Sequence, residues 1–269
     1  MKKLMISLML VTFVAFCMAG CSKSGQPAAA KTFVLVHGAW QAPYVWNIVK
    51  SQLEARGQNV IVVELPAHGN DTTSPIAVSI DVYRDKVIAA IQSVKGKVIL
   101  VGHSMGGVVI TAVAEKIPSK IEKLVYIGAF LPANGQSLMD LAMTDAQSIL
   151  GPNLIPSKDQ LTLDVNHDKI IDIFCQDASV DVQKEVLAKF RVEPAIPFGN
   201  KVTLTDANFG SVMKYYIHTA QDHAVGIDLQ NRMVTAAHIT KTYSLDTGHS
   251  PFLSKPDQVT ALLLTIIKN

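Results

Sequence analysis

Three cysteines in 269 residues, Cys17, Cys21 and Cys175, are too few for a disulfide framework, so stability has to come from a packed core. An excess of charge of one sign is also missing. Lys and Arg number 24 against 22 Asp and Glu, and the chain offers no electrostatic case for nucleic acid or an anionic surface as a partner. Internal repeats, a Walker loop, a dinucleotide fingerprint and an H-E-x-x-H metal motif are all absent. The nearest approach to a cation site is the run Asp164, Asn166, Asp168, Asp172, which fits positions 1, 3, 5 and 9 of a calcium loop. Lys169 stands where that loop needs glycine and Cys175 where it needs its bidentate glutamate, so the segment reads as a polar helix flank. No metal and no cofactor is expected.

Long apolar runs are scarce as well, and the one present is N-terminal. Lys2 and Lys3 precede an apolar stretch from Leu4 to Ala19, too short to argue for a spanning helix over an export signal. Its end, Met18-Ala19-Gly20-Cys21, resembles the lipobox of bacterial lipoproteins, with Met18 where leucine is usual. That resemblance implies cleavage after residue 20, lipid attachment to Cys21, and an exported protein anchored to a membrane of the cell envelope. Residues 21–30, beginning CSKSGQ, then read as a flexible tether, and residues 31–269 as one domain. Loss of Lys2 and Lys3 would even the charge balance, and loss of Cys17 together with acylation of Cys21 would leave Cys175 without a partner.

The chemistry is concentrated in Lys97–Val109, KVILVGHSMGGVV, an apolar strand running through Gly102-His103-Ser104-Met105-Gly106 into a helix. This is the pattern of a nucleophile elbow. A serine hydroxyl is a weak nucleophile, and a tight strand-to-helix turn lifts it clear of the backbone where a base can reach it. Ser104 is therefore the expected nucleophile, with Gly102 and Gly106 allowing close packing around the turn. A second apolar strand, Phe33–Val36, ends in His37-Gly38-Ala39-Trp40. The loop beyond it can aim a backbone N–H at the point served by the residue after the nucleophile, so Ala39 and Met105 are the expected oxyanion donors. His37 reads as a loop-ordering residue and His103 as packing behind the serine.

The base and its orienting acid should follow in the order Ser, Asp, His. His249, in the loop Thr247–Phe252 after a strand spanning 238–245, is the expected base. Asp222, beyond the strand 213–219, is the expected acid, because strand carboxyl ends in such sheets collect functional groups. Its rival Asp246 is three residues from His249 and too close along the backbone to face the imidazole. His68, in the turn LPAHGN, has no assigned chemistry, and His167, His218, His223 and His238 form no ligand pattern.

Strands expected at 32–36, 59–64, 97–101, 123–128, 213–219 and 238–245 alternate with helices at 43–56, 79–93, 105–116, 225–236 and 256–267. Such alternation means a mostly parallel, doubly wound α/β sheet. The alternation breaks in a proline-bearing interval at about 132–201, with helical stretches at 138–150, 168–177 and 180–190. An insertion there, after a strand's carboxyl end, reads as a helical cap over the site, with Phe174, Phe190, Ile196 and Phe198 as candidate pocket residues.

Together these segments, with KLVYIGAFLPANGQS and TGHSPFLSKP, resemble the α/β-hydrolase superfamily, and within it the branch of plant methylesterases, hydroxynitrile lyases and small bacterial esterases. The resemblance implies an α/β-hydrolase fold, a Ser-His-Asp triad and a small-molecule ester as substrate. The lyases of this branch carry threonine after the first-strand histidine and lysine after the catalytic histidine. This chain has Gly38 and Ser250 there, which favours ester hydrolysis through an acyl-enzyme over cyanohydrin cleavage. A catalytically idle ligand-binding lipoprotein is the remaining alternative. Epoxide hydrolases and dehalogenases would carry aspartate at position 104.

Overall fold

The structure, a computed structural model, describes residues 29–269. The expected export signal and Cys21 lie outside the described residues. The chain runs through β1 (Thr32–Val36), α1 (Asn47–Glu54), β2 (Asn59–Val63), α2 (Ile80–Ile91), β3 (Val98–His103), α3 (Gly106–Lys116) and β4 (Ile121–Ile127). The insertion follows, with α4 (Leu138–Ala142), β5 (Leu154–Pro156), β6 (Thr162–Val165), α5 (Ile170–Phe174), α6 (Val180–Lys189), β7 (Glu193–Pro194) and α7 (Ile196–Gly199). The chain then returns through β8 (Met213–Thr219), α8 (Ile227–Ala236), β9 (Thr242–Leu245), α9 (Pro251–Ser254) and α10 (Pro256–Ile266).

Six strands form one sheet in the order β2-β1-β3-β4-β8-β9, every neighbouring pair parallel. β3 is buried along its whole length, as a continuous apolar run covered on both faces must be. Side chains alternate across the sheet. Phe33, Leu35, Ile99 and Val101 pack with Val49 of α1 and Leu263 of α10, while Val34, Val36 and Leu100 pack with Val87 of α2 and Val109 of α3. The chain leaves β1 toward one side of the sheet for β2 and returns to the other for β3. The crevice where the order reverses, at the carboxyl ends of β1 and β3, is where such sheets place ligands.

Two elements differ from the sequence expectation. The last strand begins at Thr242 because residues 237–239 still close the end of α8. Ile239 N–H donates to Val234 O, and His238 takes the left-handed conformation (φ 51°) usually given to glycine at a helix end. The insertion is not purely helical, since β5, β6 and β7 form a three-stranded antiparallel sheet within it. Its first helix stops at Ala142, where Thr144 Oγ1 donates to Leu141 O and Asp145 Oδ1 accepts from Gln147 and Ser148 N–H, turning the chain away from helical pairing. The two legs of the insertion are tied together by Gly135 N–H to Val202 O and Val202 N–H to Gln136 O.

Candidate active site

The elbow has the local strain its motif requires. Ser104 has φ 53°, an unfavourable region for a residue with a Cβ, and its carbonyl accepts from Gly107 and Phe130 N–H. The turn closes only around glycines. A Cβ at Gly102 would lie 2.6 Å from Gly106 O, and one at Gly106 would lie 2.7 Å from His37 O. Met105 opens α3, so its N–H is among those that helical pairing leaves free.

Ala39 lies in the loop after β1, beside the elbow: a Cβ on the preceding Gly38 would fall 2.8 Å from Ser104 Cβ. Ala39 and Met105 are both buried, and among the described residues neither backbone N–H is donated to a protein acceptor. Buried donors left open beside a serine can receive an oxyanion. His37 holds this loop. Its Nδ1 donates to Gly38 O at 2.9 Å and its Nε2 accepts from Leu65 N–H at 3.3 Å, so the ring is neutral. Burial and the neighbouring His68 push its pKa down to about 3.

His249 and Asp222 meet in the fold. His249 Nδ1 lies 2.8 Å from Asp222 Oδ2, with His249 only 1% and Asp222 6% exposed. Asp222 Oδ2 also accepts from Thr219 Oγ1 at 2.7 Å, and Oδ1 accepts from Ala224 and Val225 N–H, both at 2.8 Å. Four donors on one carboxylate fix its orientation. Asp246 is exposed and accepts instead from Gln221 Nε2.

The two halves of the site are joined by His103. Its Nε2 donates to His249 O at 2.8 Å, and its ring lies 4.4 Å from that of His249. Burial, with His249 beside it, holds the His103 pKa well below the ordinary imidazole value, so it is a neutral spacer. No hydrogen bond joins Ser104 Oγ to His249 among the described residues, a contact that often tightens only with substrate in place.

Three contributors lay beyond sequence reasoning. Gln230, fully buried on α8, accepts from Thr219 N–H and donates from Nε2 to Thr219 O, Thr219 Oγ1 and Val225 O, fixing the Asp222 loop. Thr219 adds its hydroxyl to the acid. Glu193 of β7, also fully buried, accepts from Trp40 N–H at 2.7 Å and from His68 Nε2 at 2.8 Å. Burial alone would lower the His68 pKa, but the Glu193 carboxylate outweighs it and the value is raised. A strand-end signal could have marked Thr219; nothing local marks Glu193 or Gln230.

The cap closes over this arrangement. Phe174 packs against Trp40 (ring centroids 5.5 Å) and His249 (6.0 Å), and Phe198 packs against Trp40 (5.6 Å). Ser104 is left 7% exposed. Phe190 sits behind Phe174 at 6.5 Å. The acidic run of the insertion is dispersed: Asn166 Oδ1 accepts from Asp168 N–H and Asp172 pairs with His223.

Residues 33–262 match the Alpha/beta hydrolase family. The chain belongs to that family. It is 33% identical over 253 residues to putative methylesterase 11, chloroplastic, of Arabidopsis thaliana, covering 88% of this chain and 64% of that protein. The chain thus spans less than two thirds of that relative, and 56% of putative methylesterase 13, chloroplastic. Methylesterase 7 of the same plant is 31% identical over 252 residues, covering 88% of this chain and 96% of its own length. An alpha-hydroxynitrile lyase from Arabidopsis is 30% identical over 241 residues, covering 84% of this chain and 93% of its own length. The crystal structure of polyneuridine aldehyde esterase superposes with a TM-score of 0.76 at 23% identity, covering 88% of this chain and 99% of that one. A variant of tomato methylketone synthase I superposes with a TM-score of 0.80 at 21% identity, covering 89% of this chain and 98% of that one. These likenesses fix the α/β-hydrolase fold, and the methylesterase relatives support ester hydrolysis in general.

Proposed function

We propose that the protein is a serine hydrolase cleaving small carboxylic esters through an acyl-enzyme, with Ser104, His249 and Asp222 as its triad. The observation that carries this reading is the buried Asp222–His249 hydrogen bond of 2.8 Å beside the strained Ser104 elbow. His249 Nε2 takes the proton of Ser104 Oγ as that oxygen attacks the ester carbonyl. The developing oxyanion is received by the N–H groups of Ala39 and Met105. Collapse expels the alcohol, which takes the proton from His249. Water then attacks the acyl-enzyme, passing a proton to His249, and the carboxylic acid leaves as Ser104 is reprotonated. Asp222 holds Nδ1–H and stabilises the imidazolium in both halves of the cycle.

Cyanohydrin cleavage is the competing reading, since a lyase is among the relatives. Ser250 argues against it: the side chain after His249 is a buried neutral hydroxyl accepting from Gln41 Nε2 at 2.8 Å, with no cation to hold a departing cyanide. Gly38 is more than a marker, because any Cβ there would press on Ser104 and on His103 Nδ1, 2.9 Å away. Offered short p-nitrophenyl esters, aryl methyl esters and mandelonitrile in parallel, the protein should release acid from esters and no cyanide above background. Cyanide release with negligible ester turnover would overturn the assignment.

For location, the proposal is lipid anchoring through Cys21. No helix among the described residues is long and apolar enough to cross a membrane. Cells fed labelled palmitate should yield a labelled, membrane-associated protein that loses its label in Cys21→Ser; label persisting in that variant would refute the anchor.

A further inference from the structure

Trp40 presents a conformational problem that its own neighbours do not solve. A bulky aromatic residue with φ 56° is disfavoured, and something outside the loop must hold it. Both of its donors are taken by the cap: the backbone N–H by Glu193 Oε2 at 2.7 Å, and the indole Nε1–H by Leu163 O of β6 at 2.9 Å. Trp40 directly follows Ala39, so the peptide unit after the oxyanion donor is clamped by a carboxylate that arrives from another layer of the molecule.

That carboxylate is itself fixed. His68 Nε2 meets Glu193 Oε2 at 2.8 Å and His68 Nδ1 meets Pro66 O at 3.0 Å. A carbonyl and a carboxylate are both acceptors, so both ring nitrogens carry protons and His68 is the counter-ion of Glu193. Arg191, two residues before Glu193, donates to Gly69 O and Asp71 O, fastening the approach to β7 onto the turn that carries His68.

The geometry points to Glu193 as a positioning residue for the oxyanion loop, a cap carboxylate that holds Trp40 N–H and thereby the Ala39 donor in the orientation used in the transition state. This rests on the ester-hydrolase reading of Ala39. Glu193 does not touch substrate and acts through the backbone it holds.

Three variants test it. Glu193→Ala removes the acceptor. Glu193→Gln keeps an oxygen for Trp40 N–H while removing the charge. His68→Leu/Glu193→Leu replaces the buried pair by apolar side chains, which a fold usually tolerates better than a half-removed pair, and so covers the case in which the alanine variant fails to fold. Variants without the acceptor should lose about 100-fold in kcat, with KM changing by no more than about threefold, since the interaction is realised in the transition state. Glu193→Gln should recover about tenfold of that loss. A purely structural role would instead follow stability and would not distinguish Gln from the double leucine variant by kcat alone. Amide hydrogen exchange over residues 38–41 supplies a readout independent of turnover, and should accelerate in both acceptor-free variants. Folded acceptor-free variants with wild-type kcat, or with unchanged exchange in that segment, would overturn the proposal. If the wild-type protein hydrolyses no ester, the esterase reading falls and with it the catalytic role, while the exchange measurement still decides whether Glu193 holds the loop.

Discussion

Each member of the candidate triad is asked for a different property. Ser104 needs to be raised, His249 to be neutral and aimed, and Asp222 to be ionised and immobile. Ser104→Ala should therefore leave the fold intact and reduce turnover by about 10⁶, as expected when a covalent route is removed. A variant retaining a tenth of the original rate would remove Ser104 from the mechanism. Asp222→Asn should reduce turnover by about 10⁴, because an amide can hold the imidazole in the wrong tautomer. Asp246→Asn should change it little, since Asp246 is exposed and pairs with Gln221. Measured kcat values for the two variants decide between the carboxylates, and the opposite ranking would transfer the role. At this scale the elbow around Ser104 and the loop after β1 were readable because both are built by local sequence. Glu193 was not, because its partners His68 and Trp40 are 125 and 153 residues away.

At the scale of elements, β1 and β3 were legible because each carries an unbroken apolar run, Phe33–Val36 and Val98–Val101, the pattern of strands covered on two faces. The start of the last strand was expected too early, at 238, because His238 occupies a left-handed position without a glycine to announce it. The small sheet of the cap was hidden by brevity, its β7 comprising only Glu193 and Pro194. α3 crosses closely over the end of β1 and the loop that follows it. Gly106→Ala should push α3 off His37 O and Val36 O, which a Cβ would approach to 2.7 and 2.9 Å. The expected cost is about 1–3 kcal/mol in denaturant unfolding, together with a loss of activity from the displaced Met105 N–H. A Gly106→Ala protein with wild-type stability and rate would show that the elbow is looser than its geometry implies.

The whole molecule carries a pH signature from its buried imidazoles. His37 and His103 both have folded-state pKa values below the ordinary one, so the unfolded chain takes up their protons first as pH falls. Their stabilisation is complete above about pH 6.5 and is lost below it, at about 1.4 kcal/mol per pH unit for each. His68 has the opposite shift, and its contribution is complete below about pH 6.5 and lost only as pH rises through its raised folded-state value. On the acid side of that point it therefore adds no slope. Urea unfolding at about pH 6.5 and about one unit lower should show a clear fall in stability; constant or rising stability over that interval would mean that the two rings are not buried neutral.

The order in which the site's parts occur along the chain gives the molecule a time of arming. During synthesis the loop after β1 and Ser104 after β3 emerge early, the proposed acid Asp222 only after the insertion has been made, and the proposed base His249 after β9, an edge strand of the sheet. His249 can be seated only once β9 has paired with β8 and Phe252 has packed against Trp46. On the proposed mechanism, a nascent chain carries its serine without a base. On that mechanism hydrolysis is the last capability the chain acquires, and clipping it anywhere before His249 would leave the serine with no means of attack.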